Sequence, residues 1–600
     1  CSDRMGTDRP EEAVRLKGDM MKREEHPDPQ FRRSSYECLN GRWEFEWGCG
    51  EDKTNSPLAL SIEVPFCPES PLSGLGGRAR SSDCVYSRTI TLSEEDLKSR
   101  LVVHFGAVDR VARVYCNGVA VASHTGGYTP FEAELNGAAR AGENRLTVLV
   151  HDDTRDDAPS GKQSPKESSF GCFYTRVTGI WQTVWLERTP FAYIRSFRLI
   201  PDAARGVLRA RVFCTGEGTV RLEAFYEGRS VGSAEGKNGQ FLELALSERH
   251  LWEPGKGRLY DLKITFGEDE VTSYFGLRDV GYKGKRFLVN GRSVFQRFVL
   301  DQGYFPEGIY TAPDAALFRE DIGRAQALGF NGARLHQKVF EPRYLYECDR
   351  AGFLVWGEYA SWGIGYGNVS GLTMFLNEWT EAVERDINHP CIVTWCPLNE
   401  TWESLEDGKT LRDIRFVDAV YEVTKRLDPT RPCVDVSGGY HGTRTDLADF
   451  HCYAGYDVLK AHLAATAAGR PDFPKMYLDG EGTGYRGEPL ALSEFGGISF
   501  GGTKVEPSCC VLERDAWGYD SVRDEDAFLA DYERTIALLL SFRELSGFCY
   551  TQLYDVEQEQ NGIYTYERQP KFREDGMERI RRVNCAEAAI ERETSEENGA

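Results

Sequence analysis

The stretch "IVTWCPLNE", residues 392–400, begins as a buried strand and ends in a charge. Its first four residues are β-branched or aromatic and favour a strand, whereas Asn399 and Glu400 place an amide and a carboxylate where that strand ends. A second apolar run, "ALSEFGG" at residues 491–497, carries Glu494 at its end, and the two glycines after it allow a sharp turn. Two strand ends that each carry a glutamate predict a parallel sheet with a polar site at its carboxyl edge.

The chain from residue 281 to residue 600 alternates apolar, strand-like runs with segments of helical periodicity. The runs "NGARLH", "LVWGEY" and "CIVTW" each precede such a helical segment, for example "EPRYLYECDRAGF". About eight units over roughly 310 residues are the pattern of a (β/α)8 TIM barrel. A doubly wound open sheet is the alternative fold, but it usually has a glycine-rich phosphate turn after its first strand, and the sequence shows none.

The sequence before residue 281 predicts two β domains. Residues 1–190 hold short alternating strands and an Asn117-Gly118 hairpin signal, so we expect a jelly-roll β-sandwich with a loose amino terminus over residues 1–25. Residues 191–280 continue as shorter strands, which predict an immunoglobulin-like β-sandwich. The expected order is therefore jelly roll, immunoglobulin-like sandwich and catalytic barrel.

Composition limits the classes of partner. The chain has 72 basic and 94 acidic side chains and a formal net charge of −22, which argues against nucleic acid and against anionic membrane surfaces. No apolar run approaches the length of a membrane-spanning helix. The 17 cysteines show no spacing typical of zinc ligands, and their number suits a reducing compartment. We expect a cytoplasmic protein that needs no metal and no cofactor; the alternative is an exported lipoprotein that begins at Cys1.

The two strand-end glutamates predict the chemistry. Catalytic groups of TIM barrels lie at the carboxyl ends of the strands, so Glu400 and Glu494 would face the same mouth. Glycoside hydrolysis needs this arrangement, because one carboxyl protonates the leaving oxygen while the other attacks the sugar or activates water. A single strand-end glutamate more often forms a salt bridge, but two at matched positions favour catalysis.

These motifs resemble glycoside hydrolase family 2, the family of β-galactosidases, β-glucuronidases and β-mannosidases. "HPCIVTWCPLNETW" is similar to the acid/base signature of the family, and "ALSEFGG" is similar to its nucleophile signature. Further similar segments are "GRWEFEW", "HTGGYTPFEAEL", "YTRVTGIWQTVWLE" and "LDQGYFPEGIYTAPD". The resemblance extends from about His26 to Lys571 and implies the same three domains in the same order. It implies that Glu400 is the acid/base and Glu494 the nucleophile of a retaining double displacement, with carboxyls about 5–5.5 Å apart.

The resemblance also implies two neighbours of the catalytic pair. Asn399 would hydrogen-bond the 2-hydroxyl of the sugar, and Tyr453 would hydrogen-bond the nucleophile. Strand placement adds a set of candidate substrate-binding residues at the barrel mouth: Asp301, Arg334, His336, Trp356, Gln552 and Asp555.

Each of these six candidates has an expected role. Arg334 would orient Glu494, His336 or Asp301 would bind sugar hydroxyls, and Trp356 with Trp402 would form a stacking wall. Gln552 and Asp555 would line the subsite for the donor sugar. A structural role is the alternative for His336 and for the tryptophans.

The expected activity is removal of one terminal sugar, a β-galactoside or a related pentoside. The glucuronidases of the family carry an Asn-x-Lys element that binds the sugar carboxylate, and the segment around Asn561 lacks that spacing. A β-glucuronidase that uses Lys338 or Arg568 instead is the alternative, as are a transglycosylase and a non-catalytic carbohydrate-binding protein on the same fold. The expected partner is a carbohydrate substrate, and assembly into a homo-oligomer is left open.

Overall fold

The computed structural model describes residues 23–592 except 49, 78–80, 154–157, 402–404, 407–408, 411, 471–472, 474, 479 and 500–517. Cys1 and Trp402, on which two predictions depend, lie outside the described residues. The predicted loose amino terminus does not extend to Arg23. This side chain is buried, and its guanidinium donates to the Glu341 carboxylate at 2.8 Å and to the Ala312 carbonyl at 2.9 Å, so the barrel holds it in place.

Twelve strands build the part of the first domain that the structure describes. They are β1 (Glu37–Cys38), β2 (Gly41–Trp47), β3 (Leu60–Val64), β4 (Asp83–Leu92), β5 (Arg100–Phe105), β6 (Val108–Asp109), β7 (Val111–Cys116), β8 (Val119–Thr125), β9 (Phe131–Glu134), β10 (Gly142–His151), β11 (Gly179–Ile180) and β12 (Val184–Thr189). A six-stranded antiparallel sheet has the order β3-β2-β4-β10-β7-β8, and a four-stranded sheet has the order β1-β12-β5-β9. One apolar core joins them, for example through Phe45 and Phe105.

The second domain is a smaller sandwich. Its strands are β13 (Ile194–Asp202), β14 (Val207–Cys214), β15 (Thr219–Tyr226), β16 (Arg229–Lys237), β17 (Phe241–Ala245), β18 (Tyr260–Phe266) and β19 (Asp269–Phe275). They form sheets of order β13-β14-β17 and β16-β15-β18-β19 around a core of its own. Arg33 joins the two sandwiches, because its guanidinium donates to Glu187 at 3.0 Å and to Asp269 at 2.9 Å.

The third domain contains the remaining strands. They are β20 (Val280–Lys283), β21 (Arg286–Val289), β22 (Arg292–Ser293), β23 (Gln296–Asp301), β24 (Gly332–Leu335), β25 (Leu354–Glu358), β26 (Ile392–Cys396), β27 (Leu398–Asn399), β28 (Leu405–Glu406), β29 (Lys409–Thr410), β30 (Val436–Ser437), β31 (Ala448–Cys452), β32 (Leu490–Gly496), β33 (Ile498–Ser499), β34 (Asp520–Ser521) and β35 (Leu545–Thr551). Seven of them form a parallel sheet of order β26-β25-β24-β23-β35-β32-β31. The strand β27 continues β26 and pairs with β30, which contacts β31 and completes the ring.

Helices connect these strands on the outside of the ring. Within the described ranges they are α1 (Ala316–Ala327), α2 (Pro342–Ala351), α3 (Val369–Asp386), α4 (Ile414–Leu427), α5 (Tyr456–Ala467), α6 (Glu525–Ser541) and α7 (Glu574–Asn584). Between β30 and β31 the chain passes directly, without a helix. The three helices α3, α4 and α6 begin with an Asn or Asp side chain that accepts a backbone N–H, which satisfies one otherwise unpaired donor of the first turn. No helix of the described residues has the length and apolarity to cross a membrane.

The predicted fold class is confirmed: a sandwich, an immunoglobulin-like sandwich and a (β/α)8 barrel follow one another along the chain. In barrel order, Glu400 directly follows the fourth strand (β26 with β27) and Glu494 lies in the seventh (β32). The carboxyl ends of the parallel strands lie at the same end of the ring, so both glutamates lie there.

Candidate active site

Glu400 and Glu494 face one another across the carboxyl end of the barrel. One oxygen of each carboxylate and one ring nitrogen of His451 lie within 4.8 Å of one another. Inverting glycosidases separate their two carboxyls by about 6.5–9.5 Å, to admit a water molecule, whereas retaining enzymes keep them about 5–5.5 Å apart. The observed approach fits direct attack of one carboxylate on the sugar.

The backbone turns sharply where the fourth strand delivers Glu400. This residue has φ of +51°, in the left-handed region that side chains other than glycine rarely adopt. Its N–H donates to the Ser437 carbonyl at 2.9 Å. A side chain on Gly439 would meet the Thr401 N–H at 2.7 Å, so glycine allows the neighbouring segment to pass this close. Residues held in such backbone conformations concentrate at active sites.

Two donors fix the carboxylate of Glu494. Arg334 donates to Oε1 at 3.0 Å and the Tyr453 hydroxyl donates to Oε2 at 2.6 Å. Burial opposes the charge of Glu494, but His451 and Arg334 outweigh it and hold the pKa of this carboxyl well below its usual range. Burial and the charge of Glu494 raise the pKa of Tyr453, so its hydroxyl keeps the proton that it donates. Glu494 is therefore ionised at neutral pH, as a nucleophile must be.

Arg334 also links the nucleophile to Asn399. Its guanidinium is fully buried between strands, pairs with Glu358, and donates to the side-chain oxygen of Asn399 at 3.1 Å. This contact uses the oxygen of Asn399. The Nδ2 atom of Asn399 is buried and has no hydrogen-bond partner among the residues that the structure describes. A donor in this position can serve a sugar hydroxyl, as predicted for Asn399.

His451 was not predicted, yet it lies between the catalytic carboxylates. Its Nδ1 is 2.7 Å from Glu400 Oε1, and its Nε2 is 3.4 Å from Glu494 Oε1 and 3.1 Å from the Ser437 hydroxyl. Burial lowers the pKa of the imidazole, but the charges of Glu494 and Glu400 outweigh it and raise that pKa. The sequence held a usable signal: His451 is two residues before Tyr453, and residues two apart on a strand share a face.

His336 and Asp301 support the site from within the barrel wall. The Nδ1 atom of His336 is 2.9 Å from Glu358, and its Nε2 is 3.9 Å from Glu494 Oε1. Burial lowers the pKa of this imidazole despite the nearby charge of Glu358. Asp301 accepts from the Tyr344 hydroxyl and from the Gly303 N–H, both at 2.9 Å. Each oxygen of Asp301 therefore accepts one hydrogen bond from the protein, and the predicted contact with sugar hydroxyls stays a prediction.

The predicted stacking wall requires a correction. Trp356 is buried inside the barrel, where its indole N–H donates at 2.7 Å to Gln296 at the start of β23 and its ring packs edge-on against Phe298. It lies toward the opposite end of the barrel from the glutamates, so it cannot stack on a sugar there. An aromatic side chain that does lie at the mouth is Tyr519, which stacks on Tyr453 with ring centroids 3.6 Å apart.

Gln552 belongs to a chain of buried amides beside the site. Its oxygen accepts from Gln302 and its nitrogen donates to Asn561, both at 2.8 Å. Asn561 in turn donates to Glu559 at 3.0 Å, and Glu559 also accepts from the Tyr174 hydroxyl of the first domain. This chain connects the barrel to the sandwich. Glu559 was not predicted, and it brings a third carboxylate close to the catalytic pair.

Asp555 is occupied by other contacts. It pairs with Lys571 at 2.9 Å and accepts the Gly562 N–H at 2.8 Å. Burial raises the pKa of Asp555 to about 6, against the opposing effect of Lys571. These contacts shape the loop after the eighth strand. Within the described part of the chain, Asp555 makes no hydrogen bond to Glu400 or Glu494.

Lysine and arginine side chains near the site differ in their contacts. Lys338 donates to the carbonyls of Gly303 and Tyr310, and Arg568 donates to the Tyr304 carbonyl and pairs with Asp321. Within the described residues, neither side chain makes a hydrogen bond or ion pair with Glu400 or Glu494, and the alternative that one of them binds a sugar carboxylate stays a prediction.

A third cation, Lys162, comes from the first domain. It is buried, and the charges of Glu494 and Glu400 act on it. Sequence reasoning missed Lys162 because its loop, rich in Pro, Gly and Ser, has no periodic pattern and approaches the barrel only through space.

Comparison with known proteins gives the same architecture. Residues 71–190, 193–278 and 280–495 match, in that order, the models for "Glycosyl hydrolases family 2, sugar binding domain", "Glycosyl hydrolases family 2" and "Glycosyl hydrolases family 2, TIM barrel domain".

Several relatives are named β-glucuronidase. The β-glucuronidase of Rattus norvegicus is 26% identical over 564 residues, covering 82% of this chain and 82% of that protein. The β-glucuronidase of Paenibacillus borealis is 25% identical over 587 residues, covering 89% and 94%. Among solved structures, "Uncultured Clostridium sp. Beta-glucuronidase" superimposes with a TM-score of 0.75 at 22% identity, covering 92% of this chain and 99% of that one, which shows a shared fold.

Proposed function

The chain belongs to glycosyl hydrolases family 2 and is a glycoside hydrolase; from that premise we propose that it removes terminal β-glucuronic acid residues with retention of configuration. The observation that carries the proposal is the approach of the Glu400 and Glu494 carboxylates, with one oxygen of each within 4.8 Å of the other. No water molecule needs to stand between the sugar and the second carboxylate at this separation.

Each contact supports one step of a double displacement. Glu494, kept ionised by Arg334 and His451, attacks the anomeric carbon while Glu400 donates a proton to the leaving oxygen. Water then attacks the glycosyl ester, and Glu400 takes the proton from that water. The Tyr453 hydroxyl and Arg334 hold the nucleophile in position, and Asn399 offers its Nδ2 to the 2-hydroxyl, a contact that strengthens in an oxocarbenium-like transition state.

The choice of β-glucuronide rests on the relatives. The proteins of Rattus norvegicus, Paenibacillus borealis and Sus scrofa that match this chain are each named β-glucuronidase, and their identities of 26%, 25% and 28% extend over 82%, 89% and 68% of the chain. This replaces the β-galactoside that we expected from the absent Asn-x-Lys element.

A neutral β-galactoside is the second candidate, and Glu559 favours it. This carboxylate is fully buried in the loop after the eighth strand. Its charge acts on Lys162 and on Tyr519 beside the catalytic pair. A fixed anion near the donor pocket would repel a sugar carboxylate and would accept hydrogen bonds from neutral sugar hydroxyls.

A panel of nitrophenyl glycosides separates the two candidates. We expect kcat/KM for the β-glucuronide to exceed that for the β-galactoside and the β-glucoside by about 100-fold or more, equal to about 2.7 kcal/mol of transition-state binding. The variant Glu494→Gln serves as the control for contaminating activity. Proton NMR of the first product should show the β anomer. A preference for the galactoside would overturn the glucuronide proposal, and a first-formed α anomer would overturn retention.

A further inference from the structure

Lys162 is a buried ammonium to which the described residues offer no hydrogen bond and no ion pair. The residue is 3% exposed, and its Nζ makes no hydrogen bond or ion pair with any residue that the structure describes. It lies 5.8 Å from the ring centre of Tyr174 and 5.7 Å from that of Trp362, so its surroundings are two aromatic rings. A buried charge is unfavourable unless a counter-charge and hydrogen bonds compensate it.

The two rings place this ammonium at the catalytic centre. The indole N–H of Trp362 donates at 3.2 Å to the carbonyl of Asn399, the residue directly before the acid/base. The hydroxyl of Tyr174 donates to Glu559 on the other side. Burial lowers the pKa of Lys162, but Glu559 and the two catalytic glutamates outweigh it and raise that pKa, so the ammonium stays charged.

The segment around Lys162 is docked on the barrel by its backbone. The N–H groups of Ser160 and Gly161 both donate to the Trp362 carbonyl, at 2.9 Å and 3.3 Å. Gly161 has φ of +57°, and a side chain on it would lie 2.1 Å from the Gln337 carbonyl oxygen. Only glycine permits this approach, so the position of Lys162 depends on Gly161.

The other cations of the region already have partners. Arg334 pairs with Glu358 and Glu494, and Lys338 and Arg568 donate to backbone carbonyls. Of the four cations compared, Arg334, Lys338, Arg568 and Lys162, only Lys162 has no hydrogen bond or ion pair with a described residue.

We propose that Lys162 is the specificity-determining residue that binds the carboxylate of the donor sugar, in place of the Asn-x-Lys element that the chain lacks. This inference rests on the proposed β-glucuronidase function. Glu559 then has a supporting role, because its carboxylate accepts from the hydroxyl of Tyr174 and so fixes one of the two rings beside the ammonium.

The test compares Lys162→Met with the matched control Lys166→Met. Lys166 belongs to the same loop, is exposed, and lies over Phe170 rather than at the catalytic centre. Both variants and the wild type are assayed on nitrophenyl β-glucuronide and β-glucoside, which differ only in carboxylate against hydroxymethyl at C-5. Since hydrogen bonds to charged groups are strong, we expect Lys162→Met to lower the glucuronide/glucoside ratio of kcat/KM by about 30-fold or more, and Lys166→Met to leave it unchanged. An equal loss on both substrates, or an unchanged ratio, would overturn the role of Lys162.

A second variant guards against a fold defect. Gly161→Ala keeps the lysine but displaces its loop, so it should lower the same ratio, while thermal unfolding shows whether either variant is folded. The wild-type ratio alone tests the proposed function, because a wild type that prefers the glucoside refutes the glucuronidase proposal. If the wild type prefers the glucuronide and the Lys162→Met and Gly161→Ala variants keep this preference, only the assignment of Lys162 is refuted.

Discussion

The Nδ1 atom of His451 lies 2.7 Å from the Oε1 atom of Glu400. The opposite nitrogen of the same ring lies 3.4 Å from Glu494, so one imidazole contacts both carboxylates. The charge state of this ring therefore influences both carboxylates at once.

The two glutamates should respond differently to removal. Glu494→Gln should abolish turnover of every glycoside, because no other described group can form the covalent intermediate. Glu400→Ala should still cleave dinitrophenyl glycosides, whose leaving group needs no proton, and azide should restore its turnover. Steady-state rates with and without azide test this. Retention of a tenth of wild-type activity by both variants on an unactivated substrate would contradict the assignment.

His451→Gln should change the pH profile as well as the rate. The nearby carboxylates raise the pKa of His451, so the ring keeps its charge to a higher pH than a free imidazole and loses it as the pH rises through that raised value. Loss of the cation weakens the stabilisation of ionised Glu494, and we expect an alkaline decline of kcat/KM in the wild type. The variant should be slower, and its alkaline decline should shift in pH, because only the ionisation of Glu400 then sets it. If His451 only fills space, kcat/KM falls without a change in the shape of the profile.

Tyr453→Phe removes one donor from the nucleophile and leaves the ring. A hydrogen bond to a charged group contributes about 1.5–3 kcal/mol, so kcat/KM should fall by about 10- to 150-fold. The stacked partner Tyr519 offers a control, because Tyr519→Phe keeps the stacking and removes a hydroxyl elsewhere. A loss in Tyr453→Phe no larger than that in Tyr519→Phe would contradict a specific role for the proton that Tyr453 donates to Glu494.

His441 should make stability depend on pH. Burial opposes its charge, but the ion pair with Asp435 at 2.6 Å outweighs it and raises the pKa of His441 to about 9. Because the pKa of His441 is higher in the folded protein than in the unfolded chain, the protonated ring stabilises the fold. This contribution is complete below about pH 6.5 and is lost as the pH rises through 9. The contribution is on the order of 3 kcal/mol.

The variant His441→Gln should therefore lower Tm more at about pH 6 than at about pH 10. Scanning calorimetry of both proteins at the two pH values measures this. A difference in Tm that is the same at both values would show that His441 contributes by packing alone.

The sequence predicted the barrel and the catalytic pair because both depend on local pattern. Alternation of strands and helices identifies a TIM barrel, and the structure has Glu400 directly after the fourth strand and Glu494 in the seventh. Their catalytic roles, which follow from the rule that catalytic groups lie at the carboxyl ends of barrel strands, stay a prediction. His451 could have been found by the same reasoning, from its position two residues before Tyr453.

Other features depend on depth and on contacts between domains, which no local pattern encodes. Strand alternation predicts that Trp356 points into the barrel, but not that its indole reaches Gln296 at the far end. Lys162 comes from a loop of another domain, so only the docked structure brings it beside Glu494. The predicted β-galactoside depended on a missing motif, and a motif can be replaced by a residue from elsewhere in the chain.

The close approach of Gly161 to the Gln337 carbonyl has an evolutionary consequence. A loop of the sandwich domain lies against Gln337 and Trp362 of the barrel, so Lys162, which we propose selects the sugar, belongs to a different domain from Glu400 and Glu494. Insertions, deletions or exchanges in the first domain can then alter which sugar is accepted while the catalytic machinery stays intact. A chimera that carries the sandwich of a relative on this barrel would inherit the preference of the donor of the sandwich.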